Sequence, residues 1–132
     1  MIYTNSDGGA RGNPGPGAIG VLVRKDDNIL EMYSEKIGNA TNNVAEYKAL
    51  IKALELAKKH AKDEVTCVMD SELIVKQLLG EYKVRNTELL KLFREVQKLQ
   101  ENFVKIKYIH VSRWDKFQQM VDNLLNIELD NK

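Results

Sequence analysis

Thr41-Asn42-Asn43-Val44-Ala45-Glu46-Tyr47 is where the chain changes period. Before it, apolar residues alternate with polar ones. From it onward they recur every three to four positions. Val44, Tyr47, Ile51 and Leu54 fall on one helical face, and Thr41 and Asn42 are good helix caps. A helix is therefore predicted over about residues 43–60. Upstream, residues 2–7, 18–24 and 29–37 read as strands. Two turn signals join them, Gly12-Asn13-Pro14-Gly15-Pro16-Gly17 and Asp26-Asp27-Asn28. Three strands with short turns predict an antiparallel meander.

Downstream of the helix, residues 65–69 form a short apolar run ending at Asp70, which predicts a buried strand. Ser71 can cap a second helix carrying Ile74, Val75, Leu78 and Leu79, stopped by Gly80. Residues 80–86 read as a loop. Thr87 is the expected cap of a third helix, with Leu89, Leu92, Phe93, Val96 and Leu99 inward. Residues 103–110 alternate as a strand, and Phe117, Val121, Leu124 and Leu125 mark one face of a last helix. The order βββαβααβα predicts a mixed α/β (α+β) sheet with helices packed on it.

At 132 residues a single domain spanning 1–132 is expected. No apolar run approaches the ~18 residues of a membrane span. The N-terminus lacks a basic segment followed by an apolar one, so no secretory signal and no membrane partner are expected. Cys67 is alone, which excludes an internal disulfide and fits the reducing cytoplasm. Twenty Lys+Arg against 19 Asp+Glu give a net charge of +1, which excludes a general polycation. The distribution is uneven. Lys76 to Lys116 holds ten basic and five acidic residues, a local +5, and the remainder holds ten and fourteen, a local −4. Either a basic surface for a polyanion stands beside an acidic site, or the helices simply carry solvated lysines.

Four carboxylates sit at predicted strand ends or helix starts. Asp7 closes the first strand and Asp70 the fourth. Glu46 lies in the first turn of the first long helix. Asp122 lies near the start of the last helix, beside its apolar face. Glu46 and Asp122, each taken alone, are equally well explained as helix-terminal acids. Together in one site they would repel, and a divalent cation would relieve that. An oxygen-only donor set suits Mg²⁺ or Mn²⁺, and no Cys/His cluster suits zinc.

Asp7-Gly8-Gly9-Ala10-Arg11-Gly12-Asn13-Pro14-Gly15-Pro16-Gly17, then Thr41-Asn42-Asn43-Val44-Ala45-Glu46-Tyr47, then Asp70-Ser71-Glu72-Leu73-Ile74-Val75-Lys76-Gln77-Leu78 resemble three successive motifs of type 1 ribonuclease H, in the family's order. The resemblance covers essentially the whole chain. It implies a ribonuclease H-like fold: a five-stranded mixed sheet, three strands antiparallel and two parallel, with helices on both faces. It also implies an endoribonuclease that hydrolyses the RNA strand of RNA–DNA hybrids with two Mg²⁺ ions, for which Mn²⁺ substitutes. The products would carry 5′-phosphate and 3′-hydroxyl ends. On the matching positions Asp7, Glu46 and Asp70 would hold one ion, and Asp7 and Asp122 the other.

The fourth motif departs from the family pattern. Ser112 stands where proline is common, the loop runs about two residues long, and no histidine occupies it. Asp115 thus rivals Asp122 as the fourth acid, and the helical match at 118–126 favours Asp122. Arg113 would act electrostatically at the scissile phosphate. Trp114 would stack on a sugar or base, or merely pin the loop. His110 is expected to end the last strand. The hybrid contacts implied are Asn13, Thr41, Asn42 and Asn43 near the first turn and helix, Gln77, and the loop residues Lys83 and Arg85. The extra basic helix of some members is absent, so the resemblance is to the small form. RNA–DNA junctions or double-stranded RNA are alternative substrates, and a hybrid-binding module without catalysis is the alternative class. A monomer is expected.

Overall fold

The computed structural model describes residues 1–131. Its elements are β1 (Ile2–Ala10), β2 (Gly15–Lys25), β3 (Asn28–Ala40), α1 (Asn42–Ala57), β4 (Glu64–Met69), α2 (Glu72–Leu78), α3 (Thr87–Gln100), β5 (Lys105–His110) and α4 (Lys116–Asp130). The five strands form one sheet in the order β3-β2-β1-β4-β5. β3–β2 and β2–β1 pair antiparallel, and β1–β4 and β4–β5 pair parallel. This is the predicted element order and the implied mixed sheet.

The first hairpin is longer than predicted. β1 pairs with β2 up to Ala10↔Gly17, so Gly8 and Gly9 are strand residues and not turn residues. The reason is helix packing. A Cβ on Gly8 would lie 2.2 Å from the carbonyl of Ala45, so only glycine lets the α1 backbone rest on β1. On Gly20 it would lie 2.2 Å from the Val121 carbonyl oxygen of α4. Gly8 opposes Ile19, and Gly20 opposes Asp7, so these glycines occupy alternate positions along the ladder and face opposite ways. α1 therefore covers one face of the sheet and α4 the other.

The larger core lies with α1. Tyr47, Leu50 and Leu54 are fully buried with Val65, Cys67, Met69 and Ile74, and α3 adds Leu89 and Val96. Burial pushes the Cys67 thiol up to about 12, so it is an inert packing group. The smaller core joins Leu22 of β2 to Phe117 and Val121 of α4.

Other boundaries also differ from the sequence reading: β2 begins at Gly15 and β3 runs on to Ala40, because these two residues pair at the end of the hairpin. α1 ends at Ala57, three residues short of His60, where Lys59 and His60 turn off to pair with Glu31 of β3 at 2.8 and 3.2 Å. The cap of α3 is Asn86, not Thr87: Asn86 Oδ1 accepts the Leu89 N–H at 3.0 Å. β5 begins at Lys105 because the Phe103 N–H is taken by the Gln100 carbonyl in the turn that ends α3. Among the described residues no helix is long and apolar enough to cross a membrane.

Candidate active site

β1 and β4 pair in parallel from Ile2↔Val65 to Asn5↔Val68. Two residues beyond that last pair stand Asp7 on one strand and Asp70 after the other. Carboxyl ends of adjacent parallel strands are where open α/β sheets hold ligands. α1 crosses this edge and brings in Glu46, its fifth residue, so Glu46 belongs to the second turn and not the first. Thr41 Oγ1 caps the helix by accepting the Val44 N–H at 3.2 Å. Glu46 Oε1 accepts the Gly8 N–H at 3.1 Å, which holds the carboxylate against β1.

Asp7, Glu46 and Asp70 each present an oxygen, and these lie within 4.8 Å of one another. Asp122 lines the same cleft, of about 620 Å³, from α4. Its charge raises Glu46 and Asp70, and its carboxyl raises Asp7 through a side-chain hydrogen bond. Asp115 has another role: its carboxylate caps α4, accepting the Phe117 and Gln118 N–H groups at 3.1 Å.

The electrostatics are unfavourable for protein alone. Burial, then the neighbouring Glu46 and Asp70 charges, push the Asp7 carboxyl far above the usual range. Burial also raises Glu46, although its contacts with Asp7 and the Gly8 N–H oppose the rise. Asp70 is raised by burial as well, with the Gln118 amide and His110 pulling the other way. Glu46 Oε2 is buried and, among the described residues, accepts no hydrogen bond. An acceptor left bare beside three other carboxylates is a mismatch that a hard divalent cation corrects, since it takes oxygen ligands and cancels charge. Asp7, Glu46, Asp70 and Asp122 thus fit such an ion.

A polar chain behind Asp70 escaped the sequence reading. Gln118 is fully buried in α4. Its Nε2 donates to the Ser6 carbonyl at 2.8 Å and to Asp70 Oδ1 at 3.4 Å. Its Oε1 accepts from Asn5 Nδ2 at 3.2 Å, and Asn5 Oδ1 accepts from Arg24 Nε at 2.9 Å. The Arg24 guanidinium lies over the Tyr3 and Phe117 rings, 4.4 and 4.1 Å from their centroids. One signal was available. Gln118 precedes Val121 and Leu125 by three and seven residues, so a polar side chain sits on the buried stripe.

The remaining expected contacts divide. Asn42, Asn43 and Arg113 line the cleft. Thr41, Asn42 and Asn13 brace the start of α1: Asn42 Oδ1 accepts the Ala10 N–H at 2.9 Å, and Asn13 Oδ1 accepts the Asn42 N–H at 3.0 Å. Gln77 is not a surface contact. It is buried and accepts the Tyr47 hydroxyl at 2.6 Å, because an amide on the inward face of α2 is the partner that the buried phenol requires. Lys83 and Arg85 are exposed on the α2–α3 loop, outside the cleft lining. His110 ends β5 opposite Met69, as expected.

Residues 5–126 match the model of the reverse transcriptase-like family. The crystal structure of ribonuclease H1 from the halophilic archaeon Halobacterium salinarum superposes with a TM-score of 0.93 at 36% identity, covering 99% of this chain and 98% of that one. The chain belongs to the ribonuclease H family. LC11 ribonuclease H1, solved in complex with an RNA/DNA hybrid, is 40% identical with a TM-score of 0.90, over 98% and 97% of the two chains. A bifunctional protein of Mycobacterium tuberculosis is 43% identical over 114 residues, 85% of this chain. The chain spans 31% of the length of that mycobacterial protein and 65% of the Halobacterium ribonuclease HI sequence.

Proposed function

We propose that this chain hydrolyses the RNA strand of RNA–DNA hybrids, cutting internally and leaving 5′-phosphate and 3′-hydroxyl ends. The observation that carries the reading is the convergence of Asp7, Glu46 and Asp70 within 4.8 Å, with Glu46 Oε2 bare. The hybrid complex of LC11 ribonuclease H1, at 40% identity, supports the substrate class. Asp7, Glu46 and Asp70 would hold one Mg²⁺ and Asp7 and Asp122 a second, with Mn²⁺ able to replace either. Two such ions supply an activated water and stabilise the leaving oxygen of a phosphodiester.

The chain's own residues provide placement. Glu46 is fixed by the Gly8 N–H, and Asp70 by Gln118. Asn43 lines the cleft where a minor groove would lie, and there 2′-hydroxyls distinguish RNA from DNA. Arg113 sets positive charge beside the scissile phosphate. Thr41, Asn42 and Asn13 form a rim for the strand backbone, and Lys83 and Arg85 add phosphate contacts further along. Such contacts make affinity fall with salt and carry no sequence information. We place the protein in the cytoplasm, where the lone buried Cys67 thiol stays reduced, and treat it as a monomer.

The test is cleavage of a hybrid labelled in its RNA strand, with Mg²⁺ or Mn²⁺, beside duplex RNA, an RNA–DNA junction and the Asp7→Asn chain. Internal, metal-dependent RNA cuts, strongest on the hybrid and lost in the variant, are expected. Binding without cuts at any metal concentration would make the chain a hybrid-binding module. Equal cutting of duplex RNA would widen the substrate class.

A further inference from the structure

Trp114 is the only tryptophan of the chain, and it is 68% exposed on the rim of the acidic cleft. Its exposure is not that of a loose loop tip. Loop 111–115 is tied at several points: the Val111 N–H donates to the Met69 carbonyl at 2.9 Å, and the Trp114 N–H to Ser112 Oγ at 3.1 Å. The Asp115 N–H donates to the Ser112 carbonyl at 3.0 Å, and the Asp115 side chain then caps α4. The backbone therefore presents the indole at a set place, between strand ends that carry the acids and the helix that carries Asp122. The Arg113 guanidinium lies 4.6 Å from the ring centroid. A large apolar plane left in water on a braced loop costs solvation and contributes nothing to the core. Its place on the cleft rim, beside the Arg113 guanidinium, points to a ligand entering the cleft.

We propose that Trp114 and Arg113 form a stacking platform for the nucleic-acid strand that enters the cleft, with the indole packing on a sugar ring and the guanidinium pairing with the adjoining phosphate. The inference rests on the hybrid-cleaving reading and adds a contact for the same site. The chemistry selects the ligand. Four carboxylates repel a polyanion, so a backbone approaching them needs a cation on the rim, and Arg113 lines that rim. Within a duplex the base faces are stacked on one another. A side chain beside the backbone therefore meets the apolar face of a sugar. An aromatic plane with an attached guanidinium matches that alternation of sugar and phosphate, and it does so for any sequence.

A single tryptophan makes the test direct. The Asp7→Asn chain is titrated with an unlabelled hybrid in Mg²⁺ while indole emission and its quenching by acrylamide are followed. The anisotropy of a dye-labelled hybrid reports binding separately. The platform requires a blue shift and protection from acrylamide that saturate with the anisotropy. Replacing Trp114→Ala in the same background is expected to weaken hybrid binding about five- to thirty-fold, and Trp114→Phe no more than about threefold. Because the ring is exposed, neither change should move the melting temperature. Hybrid binding with unaltered emission, or with full affinity in Trp114→Ala, overturns the platform and leaves the hydrolase reading intact. No binding by anisotropy overturns both.

Discussion

Under α1 the sheet is closed by hydrocarbon. Tyr47, Leu50 and Leu54 are fully buried, and Gly8 lets the helix backbone settle directly on β1. Under α4 the closure is partly polar. Leu22, Phe117 and Val121 share that face with Gln118, Asn5 and Arg24, which are joined in a hydrogen-bonded line. The two faces also deliver different acids. The α1 face places Glu46 through a backbone N–H and a close glycine contact. The α4 face places Asp122 and steadies Asp70 through side-chain amides. Close packing positions a group by volume and tolerates few substitutions. A buried amide line positions by direction, and every member must stay satisfied. The first arrangement makes the fold. The second adjusts the site.

The largest effect is expected at Asp7, where the two faces meet. Asp7→Asn should lower metal-dependent cleavage of the hybrid about a thousandfold or more while hybrid binding persists. The same change should stabilise the metal-free chain. Asp7 and Glu46 are raised in the folded state above their unfolded values, so folding takes up protons. The metal-free protein therefore loses stability as pH climbs from about 4 through the neutral range. Removing one carboxyl relieves that loss. A melting temperature about 5 °C higher than the parent at pH 8 in chelator is expected, with the gap closing towards pH 4. An unchanged or lower value at pH 8 would mean that the acids do not repel one another.

Gly8→Ala breaks the apolar side alone. The new methyl meets backbone and not a movable side chain, so a loss of about 3 kcal/mol in denaturant unfolding is expected. Wild-type stability would show that α1 can lift off β1, and the comparison of faces would fail.

Asp122→Asn and Asp115→Asn separate site from scaffold on the α4 side. The first should cut turnover about a hundredfold with little change in unfolding. The second should leave both nearly unchanged, because an Asn Oδ1 still accepts the Phe117 and Gln118 N–H groups as the cap of α4. Reversed effects would reassign the fourth acid to Asp115.

Gln118→Leu is the finest probe. It strips the Ser6 carbonyl and Asn5 of partners and frees Asp70. About 2 kcal/mol of stability should go. The Mg²⁺ concentration for half-maximal cleavage should rise about tenfold, as outer-layer changes commonly do at metal sites. A stability loss with an unmoved Mg²⁺ requirement would make Gln118 structural only.

Legibility in the sequence follows the same division. Asp7, Glu46 and Asp70 can be read because they follow apolar strand runs or a helix cap inside glycine-marked and cap-marked stretches, and local periodicity finds those places. The alternation through 29–37 and the helical spacing from Val44 likewise announce their elements. Three features need tertiary contact to be seen. The first strand is read only to Asp7, yet Gly8 and Gly9 continue it, and at Gly8 the α1 backbone is the thing that excludes a Cβ. Gln77 reads as an available surface amide until Tyr47 is known to point at it. The Arg24–Asn5–Gln118 line joins residues from three separate elements, and no spacing rule connects positions more than a hundred residues apart.

Convergence of the acids from both faces on a divalent cation is open to a test with the metal alone. Titration of Mn²⁺ into the hybrid-free chain, with free Mn²⁺ followed by its paramagnetic resonance signal, tests it without any turnover. Saturable binding is predicted, weakened at least about tenfold in Asp7→Asn, reduced less in Asp122→Asn and untouched in Asp115→Asn. Equal Mn²⁺ binding by the parent and Asp7→Asn would contradict it.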